Sequence, residues 1–163
     1  MSDEPPRASL RVTVLGGFRV EAGGRPVPEA AWRRRSAGRV VKLLALTPGH
    51  RLVRDRALET LWPDLTPARA AAAFYQALLA ARRALEPGLA ARARSAHLRY
   101  VDEVVSLHGD PLWVDAVAFE QAPGAGAADD PHAVRQGEAT LALCPGDLLP
   151  DDAYEEWTHA RRR

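Results

Sequence analysis

Apolar residues recur at helical spacing from Thr66 to Glu86, in the longest uninterrupted pattern of this chain. At about 3.6 residues per turn, one face is apolar and collects Ala70, Phe74, Ala77, Leu78, Ala81 and Leu85. The other face has no acidic residue before Glu86 and collects Arg69, Ala72, Gln76, Leu79 and Arg83, with Tyr75 and Arg82 at its edges. Thr66 is a suitable N-cap and Pro67 a suitable first helical residue. A long helix with such a basic to neutral face is expected to bind an acidic partner.

Two shorter helices are expected before this one. The first runs from Ser36, as its N-cap, to about Leu46. The second runs from about Arg54 to Trp62, because the proline that follows cannot continue a helix. Arg33 to Arg35 precede the first helix, and they fit either a solvated charge cluster or a set of phosphate contacts.

Alternating apolar and polar residues predict strands on both sides of these helices. Leu10 to Val20 is expected to form a strand with a bulge or bend at Gly16-Gly17. Gly23-Gly24 predicts a turn, and Pro26 to Pro28 could form a short edge strand.

A hairpin is predicted after the long helix. Its strands are His97 to Val101 and Val104 to Leu107, and Asp102-Glu103 is the turn between them. Further short helices are expected at about Val114–Gln121, Pro131–Leu143 and Asp151–Arg163.

The charge of the chain changes sign near residue 109. Leu10 to His108 contain 17 basic and 8 acidic residues, a net charge of +9, whereas Gly109 to Arg163 contain 4 and 11, a net charge of −7. Such a switch predicts two units with different partners, and the basic unit is the candidate for binding a polyanion. We therefore divide the sequence into a disordered tail (1–9), a basic domain (10–108) and an acidic helical segment (109–163).

Several classes of protein do not fit this sequence. No apolar run approaches the roughly 18 to 20 residues that span a bilayer, and the N-terminus does not resemble a secretory signal. The single cysteine, Cys144, fits a reducing cytoplasm. The five histidines (residues 50, 97, 108, 132 and 159) lack metal-ligand spacing, and there is no phosphate-binding glycine loop. We expect no enzyme activity, metal, cofactor or membrane partner.

The order of elements, with three helices followed by a hairpin and preceded by strands, is that of a winged helix-turn-helix. The runs WRRRSAGRVVKLLAL, LWPD and ARRALEP resemble the OmpR-type winged helix of bacterial antibiotic-pathway regulators. The later runs PLWVDAVAFEQA and CPGDLLPDDAYEEWTHARRR resemble the start of the bacterial transcriptional activator domain that follows it in that family.

The resemblance implies an α+β fold with an N-terminal antiparallel sheet, a C-terminal hairpin wing and a truncated, tetratricopeptide-like helical segment. It implies a cytoplasmic bacterial transcription activator whose third helix enters the major groove of double-stranded DNA. It also implies head-to-tail binding at direct repeats, with a possible homodimer on DNA. The loop before the third helix would face RNA polymerase, through Pro63, Asp64, Leu65 and Thr66.

Individual DNA contacts follow from the residue types. Arg69 and either Arg82 or Arg83 are suited to phosphate or guanine, and Gln76 to a bidentate contact with adenine. The helix dipole alone would also favour an arginine at position 83. Ala72 and Leu79 complete the predicted DNA-facing side of the helix, and the predicted wing contacts are Arg94, His97 and Arg99.

Two features leave the specificity open. Ala72 and Ala73 stand where such proteins often have polar residues, and alanine offers only a methyl group to a thymine. Ala81 stands where a leucine is usual, which leaves a smaller contact under the helix. Weakly specific or non-specific binding therefore fits the sequence as well.

Two other functions are alternatives to DNA binding. The winged helix could be a protein-interaction module that docks RNA polymerase or its own acidic C-terminal segment, which would inhibit DNA binding. RNA binding is the third alternative, and the shortage of aromatic residues argues against it.

Overall fold

The computed structural model describes residues 9–89 and 93–121. Its strands and helices are, in chain order, β1 (Leu10–Thr13), β2 (Arg19–Ala22), β3 (Arg25–Pro26), α1 (Arg35–Leu46), β4 (Arg51–Val53), α2 (Arg54–Leu61), α3 (Pro67–Leu85), β5 (Leu98–Val101), β6 (Val104–Leu107), β7 (Leu112–Val114) and α4 (Asp115–Gln121). Single turns of 3-10 helix occur at Glu29–Trp32 and Pro48–His50. The α+β class predicted from the sequence is confirmed.

Within the described residues, the chain forms two compact units. The first contains residues 9–11 and Val20–Leu112, and the second contains Val12–Arg19 and the residues from Trp113 onward. The tail expected before residue 9 and the helices expected near 131–143 and 151–163 lie outside the described residues. The domain limits proposed from the charge pattern remain predictions.

The first sheet has four strands in the order β3-β2-β1-β7. Where one bent strand was predicted from Leu10 to Val20, the chain forms two strands, because residues 14 to 18 connect them and Gly16 has a φ of 76°. β2 and β3 pair antiparallel, with Ala22 opposite Arg25. The two residues between them, Gly23 and Gly24, have φ values of 60° and 78°. Glycine tolerates this left-handed backbone without strain, so the predicted turn is confirmed.

The fourth strand of this sheet, β7, was not predicted. It spans three residues after the hairpin, too few for alternation to show in the sequence. The chain is held there by a hydrogen bond of 3.0 Å from the Leu10 amide to the Pro111 carbonyl. Nearby, a Cβ at Gly109 would lie 2.8 Å from the Leu10 Cβ, so this close approach requires glycine.

The second unit contains a buried carboxylate. Asp115 is 1% exposed, and its two side-chain oxygens accept three backbone hydrogen bonds. Oδ1 accepts from the Val14 and Ala116 amides at 2.9 and 2.8 Å, and Oδ2 accepts from the Leu15 amide at 3.0 Å. Charge-assisted bonds of this kind offset the cost of burying the carboxylate. Asp115 thereby ties the chain after β1 to the beginning of α4.

Helices α1, α2 and α3 form the core of the first unit. α1 and α3 pack against each other, and each buries the face that its periodicity predicted, with Val41 and Phe74 fully buried. Ser36 was predicted to be the N-cap of α1, and this prediction is wrong. The N-cap position is Arg34, whose side chain makes no capping hydrogen bond, and Ser36 lies inside the first turn.

A second, three-stranded sheet contains the predicted hairpin, in the order β4-β6-β5. β5 and β6 pair antiparallel from Leu98–Leu107 to Val101–Val104, as expected. The third strand, β4, lies between α1 and α2 and was missed because it has only three residues. Ser106 on β6 lies between Arg51 of β4 and Arg99 of β5 in the sheet register.

None of the helices in the described residues has both the length and the apolarity needed to cross a membrane.

Candidate nucleic-acid interface

Helix α3 begins where the sequence predicted. Thr66 is its N-cap and accepts a hydrogen bond from the Arg69 amide at 3.4 Å, and Pro67 is the first helical residue. One face is anchored in the core by Phe74, Ala77 and Ala81, each 0% exposed. Ala81, which stands where a leucine is usual, is thus fully buried as part of this face. The helix is therefore fixed in rotation, and its opposite face is presented outward.

The predicted contact residues of α3 share this outward face. Arg69, Ala72, Gln76, Leu79 and Arg83 are all exposed. They follow one another at intervals of three or four residues and so form one stripe along the helix. Leu79, the apolar member of the stripe with the largest side chain, is 48% exposed. No acidic residue occurs in α3, so the stripe can approach a phosphate backbone without repulsion.

Aromatic contacts fix the position of α3 against the hairpin. The Phe74 and Tyr100 ring centroids are 5.4 Å apart and the rings meet edge to face. Tyr75 contacts both rings in the same manner, at 5.7 and 5.9 Å. Such pairs add about 0.5–1.5 kcal/mol beyond the burial of area. Tyr75 therefore packs at the edge of the helix, as expected, while it remains 43% exposed.

Arg82 links α3 to β5. Its Nε donates to the Leu98 carbonyl at 3.0 Å, and its side chain is half-buried. Burial lowers the pKa of the guanidinium, although the Glu86 carboxylate opposes this effect. Between the two predicted alternatives, Arg83 is the exposed one and Arg82 has a structural contact.

His97 was predicted to be a wing contact, but the structure does not place it there. Its side chain is 2% exposed, and Nδ1 donates to the His108 carbonyl at 3.0 Å. A side chain buried to this extent cannot reach a DNA groove. The sequence pattern placed His97 in a strand, but the strand begins at Leu98, and His97 packs at its base. Arg94, by contrast, is exposed, and Arg99 is partly exposed.

Glu86 fixes the segment that leads into the hairpin. Its Oε1 accepts from the Ala96 amide at 2.9 Å, and its Oε2 accepts from the Ser95 hydroxyl. The Ser95 oxygen in turn accepts from the His97 and Leu98 amides at 3.2 and 3.0 Å. This network connects the end of α3 to the first residue of β5, so the hairpin has a defined position beside the helix.

The arginine cluster before α1 reaches the exposed stripe. Arg34 Nη1 donates to Gln76 Oε1 at 3.2 Å, and both side chains are exposed. They line a cleft of about 440 Å³ together with Ala31, Leu79, Ala80, Arg83 and Ala84. Because 42 residues separate Arg34 from Gln76, no local sequence pattern predicts that they meet. Arg34 thus joins the candidate interface.

A second basic group lies on the outward face of the three-stranded sheet. Arg51 and Arg99 flank Ser106, whose hydroxyl lies 2.7 Å from His108 Nε2. Burial, followed by electrostatic interactions with Arg99, Arg51 and His97, lowers the pKa of His108. The ring is therefore neutral at pH 7, and the charge of this surface comes from the two arginines.

The tip of the hairpin is acidic. Asp102 and Glu103 are exposed and have φ values of 51° and 63°, in the left-handed region where side chains are strained. The Glu103 carbonyl accepts from the Arg54 amide at 2.8 Å, which holds the turn against the start of α2. Two carboxylates at the tip would repel phosphates, and the basic residues Arg94 and Arg99 lie before the hairpin and on β5.

The loop that was predicted to face RNA polymerase borders an apolar groove. Pro63, Asp64, Leu65 and Thr66 are all exposed, and Leu65 is 40% exposed. The groove has a volume of about 440 Å³ and is lined by Asp55, Leu58, Glu59, Trp62, Pro63, Leu65, Pro67 and Ala70. Six of these lining residues are apolar, and the other two, Asp55 and Glu59, are acidic, so the groove differs in chemistry from the basic stripe on α3.

Within residues 9–89 and 93–121, no three histidine, cysteine or acidic side chains come together as a possible metal site.

The structure is similar to that of Mycobacterium tuberculosis EmbR, solved in complex with a low affinity phosphopeptide, with a TM-score of 0.73 and 22% sequence identity. The match covers 94% of this chain and 41% of the EmbR chain, so this chain spans less than half the length of that protein. No family model matches the sequence, and no curated protein matches it. At this level of identity the similarity shows the fold, and the chain has the α+β winged-helix fold.

Proposed function

We propose that this chain is the DNA-binding part of a bacterial transcriptional regulator of the OmpR type, followed from residue 109 by the beginning of an activator domain. In this proposal α3 enters the major groove of duplex DNA, and the β5–β6 hairpin lies beside it as the wing. The regulator acts in the cytoplasm and binds direct repeats as a head-to-tail dimer.

The observation that carries the proposal is the exposed stripe on α3. Arg69 and Arg83 lie near its two ends, Gln76 lies in the middle, and no acidic side chain interrupts it. The small Ala72 allows the helix backbone to approach a groove closely. Arg34 adds a further positive charge beside Gln76. The net charge of +9 between residues 10 and 108 supports the same kind of partner.

Salt dependence is the first test of this proposal. Each arginine–phosphate contact releases counterions, so affinity for duplex DNA should fall by about 10³-fold or more between about 50 and 200 mM salt if six or more phosphates are contacted. Fluorescence anisotropy with a labelled duplex measures this slope. A flat affinity over this range would exclude binding in the groove.

Substitutions on the stripe are the second test. Arg69→Ala and Gln76→Ala should each weaken binding to a selected duplex by about 1–3 kcal/mol. The matched control is Arg19→Ala, which removes an exposed arginine from β2, outside the helix-turn-helix. The assignment of the stripe is wrong if Arg19→Ala weakens binding as much as Arg69→Ala does, because the loss then reflects net charge alone. It is also wrong if Gln76→Ala, which removes no charge, leaves the affinity unchanged.

Docking of a protein partner is a second candidate function, and the apolar groove beside the Pro63–Thr66 loop favours it. A leucine that is 40% exposed at the rim of an apolar groove is suited to a contact with RNA polymerase. Leu65→Asp should then reduce transcription in a purified polymerase assay while affinity for DNA stays unchanged. An unaltered transcript level would remove support for docking at this loop.

A further inference from the structure

We propose that Arg34 sets the base that Gln76 recognises, so that the two side chains together select guanine where Gln76 alone would select adenine. The proposal rests on the DNA-binding function proposed above, and it adds to that function the base preference at the centre of α3.

The orientation of the Gln76 amide follows from the chemistry of its neighbour. A guanidinium group has only donors, so the Gln76 atom that lies 3.2 Å from Arg34 Nη1 must be the acceptor Oε1. The opposite orientation would place two donors against each other. Gln76 Nε2, with its two hydrogens, is therefore the atom of the amide that has no bond to Arg34.

This orientation changes what the pair offers to a base edge. In the major groove guanine presents two acceptors, N7 and O6, whereas adenine presents the acceptor N7 and the donor N6. A free glutamine matches adenine because it supplies one donor and one acceptor. With Oε1 bonded to Arg34, the outward groups are Nε2 and the remaining guanidinium hydrogens, which are all donors. Gln76 Oε1 retains one lone pair. An adenine amino group could donate to it only by lying close to the hydrogen that Arg34 Nη1 already donates.

The surroundings of the pair favour an acceptor-rich base as well. The cleft that contains Arg34 and Gln76 is otherwise lined by three alanines, Leu79 and Arg83, with no carboxylate among them. Arg34 and Gln76 are both exposed, so a base edge can reach them. The local charge is positive, which stabilises the carbonyl oxygen and N7 of guanine more than an amino group.

The test is the selection of duplexes from a randomised pool by the full 163-residue chain and by Arg34→Met. Methionine keeps most of the length of the side chain and removes all of its donors. We expect guanine at one position of the motif for the wild-type chain and adenine at that position for Arg34→Met, with the rest of the motif unchanged. A preference of about tenfold for each base is expected, within the usual range for a bidentate pair.

Arg33→Met is the matched control, since it removes an equal charge from the neighbouring exposed residue that is not bonded to Gln76. It should lower affinity without changing the preferred base. The proposal is overturned if the wild-type chain prefers adenine or no base there, if Arg34→Met leaves guanine preferred, or if Arg33→Met changes the base as well. Those outcomes leave the DNA-binding function intact, whereas failure of every variant to bind any duplex overturns both.

Discussion

Phe74 is the residue on which the position of α3 depends most. It is fully buried and contacts the ring of Tyr100 on β5. Phe74→Ala should lower the free energy of unfolding by about 3–5 kcal/mol, because it leaves a cavity under the middle of the helix. Urea denaturation measures the loss. Tyr75→Ala, at the exposed neighbouring position, is the control and should cost clearly less; equal losses would contradict this account of the core.

His108 should make stability depend on pH. Burial and the neighbouring arginines lower the pKa of His108 below the ordinary value of 6.5. The folded chain therefore binds a proton at this residue less readily than the unfolded chain does. The contribution of neutral His108 to stability is therefore fully present above the unfolded pKa. It decreases as the pH falls below 6.5 towards the folded pKa. Unfolding measured between about pH 7.5 and 5.5 should show a steeper decline for the wild type than for His108→Gln. Parallel curves would rule this out.

At the scale of residues, the helical period was sufficient to place Arg69, Gln76 and Arg83 on one exposed face, since rotation about the helix depends on local spacing alone. The same spacing could not show that Arg34 meets Gln76, because their contact depends on how α1 packs against α3. It also could not show that His97 is buried. That result depends on a hydrogen bond to His108, on the far side of the hairpin.

Among the elements, the hairpin turn has two consecutive non-glycine residues in the left-handed region. β2 and β3 are joined by two glycines with positive φ, whereas β5 and β6 are joined by Asp102 and Glu103 with the same sign of φ. Replacing them with Asn-Gly (Asp102→Asn with Glu103→Gly) should stabilise the fold by about 1 kcal/mol, because asparagine and glycine adopt this backbone more readily. Thermal or urea unfolding measures the gain.

The same double variant should bind duplex DNA more tightly at low salt, because it removes two carboxylates from the tip of the wing. Glu103→Gln separates the two effects: it removes one charge, so affinity should rise, but it leaves the strained backbone, so stability should not. A wing that lies away from DNA would show no change in affinity with either variant.

The elements that the sequence predicted and those that it missed differ in length. In each of the three helices the apolar residues recur at helical spacing over two turns or more. The predicted limits of these helices were correct to within one or two residues. β4 and β7 have three residues each, and they exist because partner strands supply their hydrogen bonds. Local propensity carries little information about a strand of that length.

For the whole molecule, the acidic residues after α4 should weaken DNA binding. Residues 122–163 contain 4 basic and 8 acidic side chains, a net charge of −4. A chain that ends at Gln121 keeps every described strand and helix, including β7, and should bind duplex DNA more tightly. The difference should shrink as salt rises, since screening shortens the range of the repulsion. Titration of both chains at two salt concentrations tests this, and equal affinities at low salt would argue against autoinhibition.

The three backbone bonds to Asp115 offer a way to follow one part of the molecule by itself. Val14 lies outside the strands, and its amide would ordinarily exchange with solvent quickly, yet it donates to a buried carboxylate. In deuterium oxide the amides of Val14 and Leu15 should therefore exchange as slowly as those of a sheet. Asp115→Asn keeps one acceptor oxygen of the two, so exchange should accelerate at the amide left facing the new NH₂ group. Those two amides would report on opening of the chain near α4.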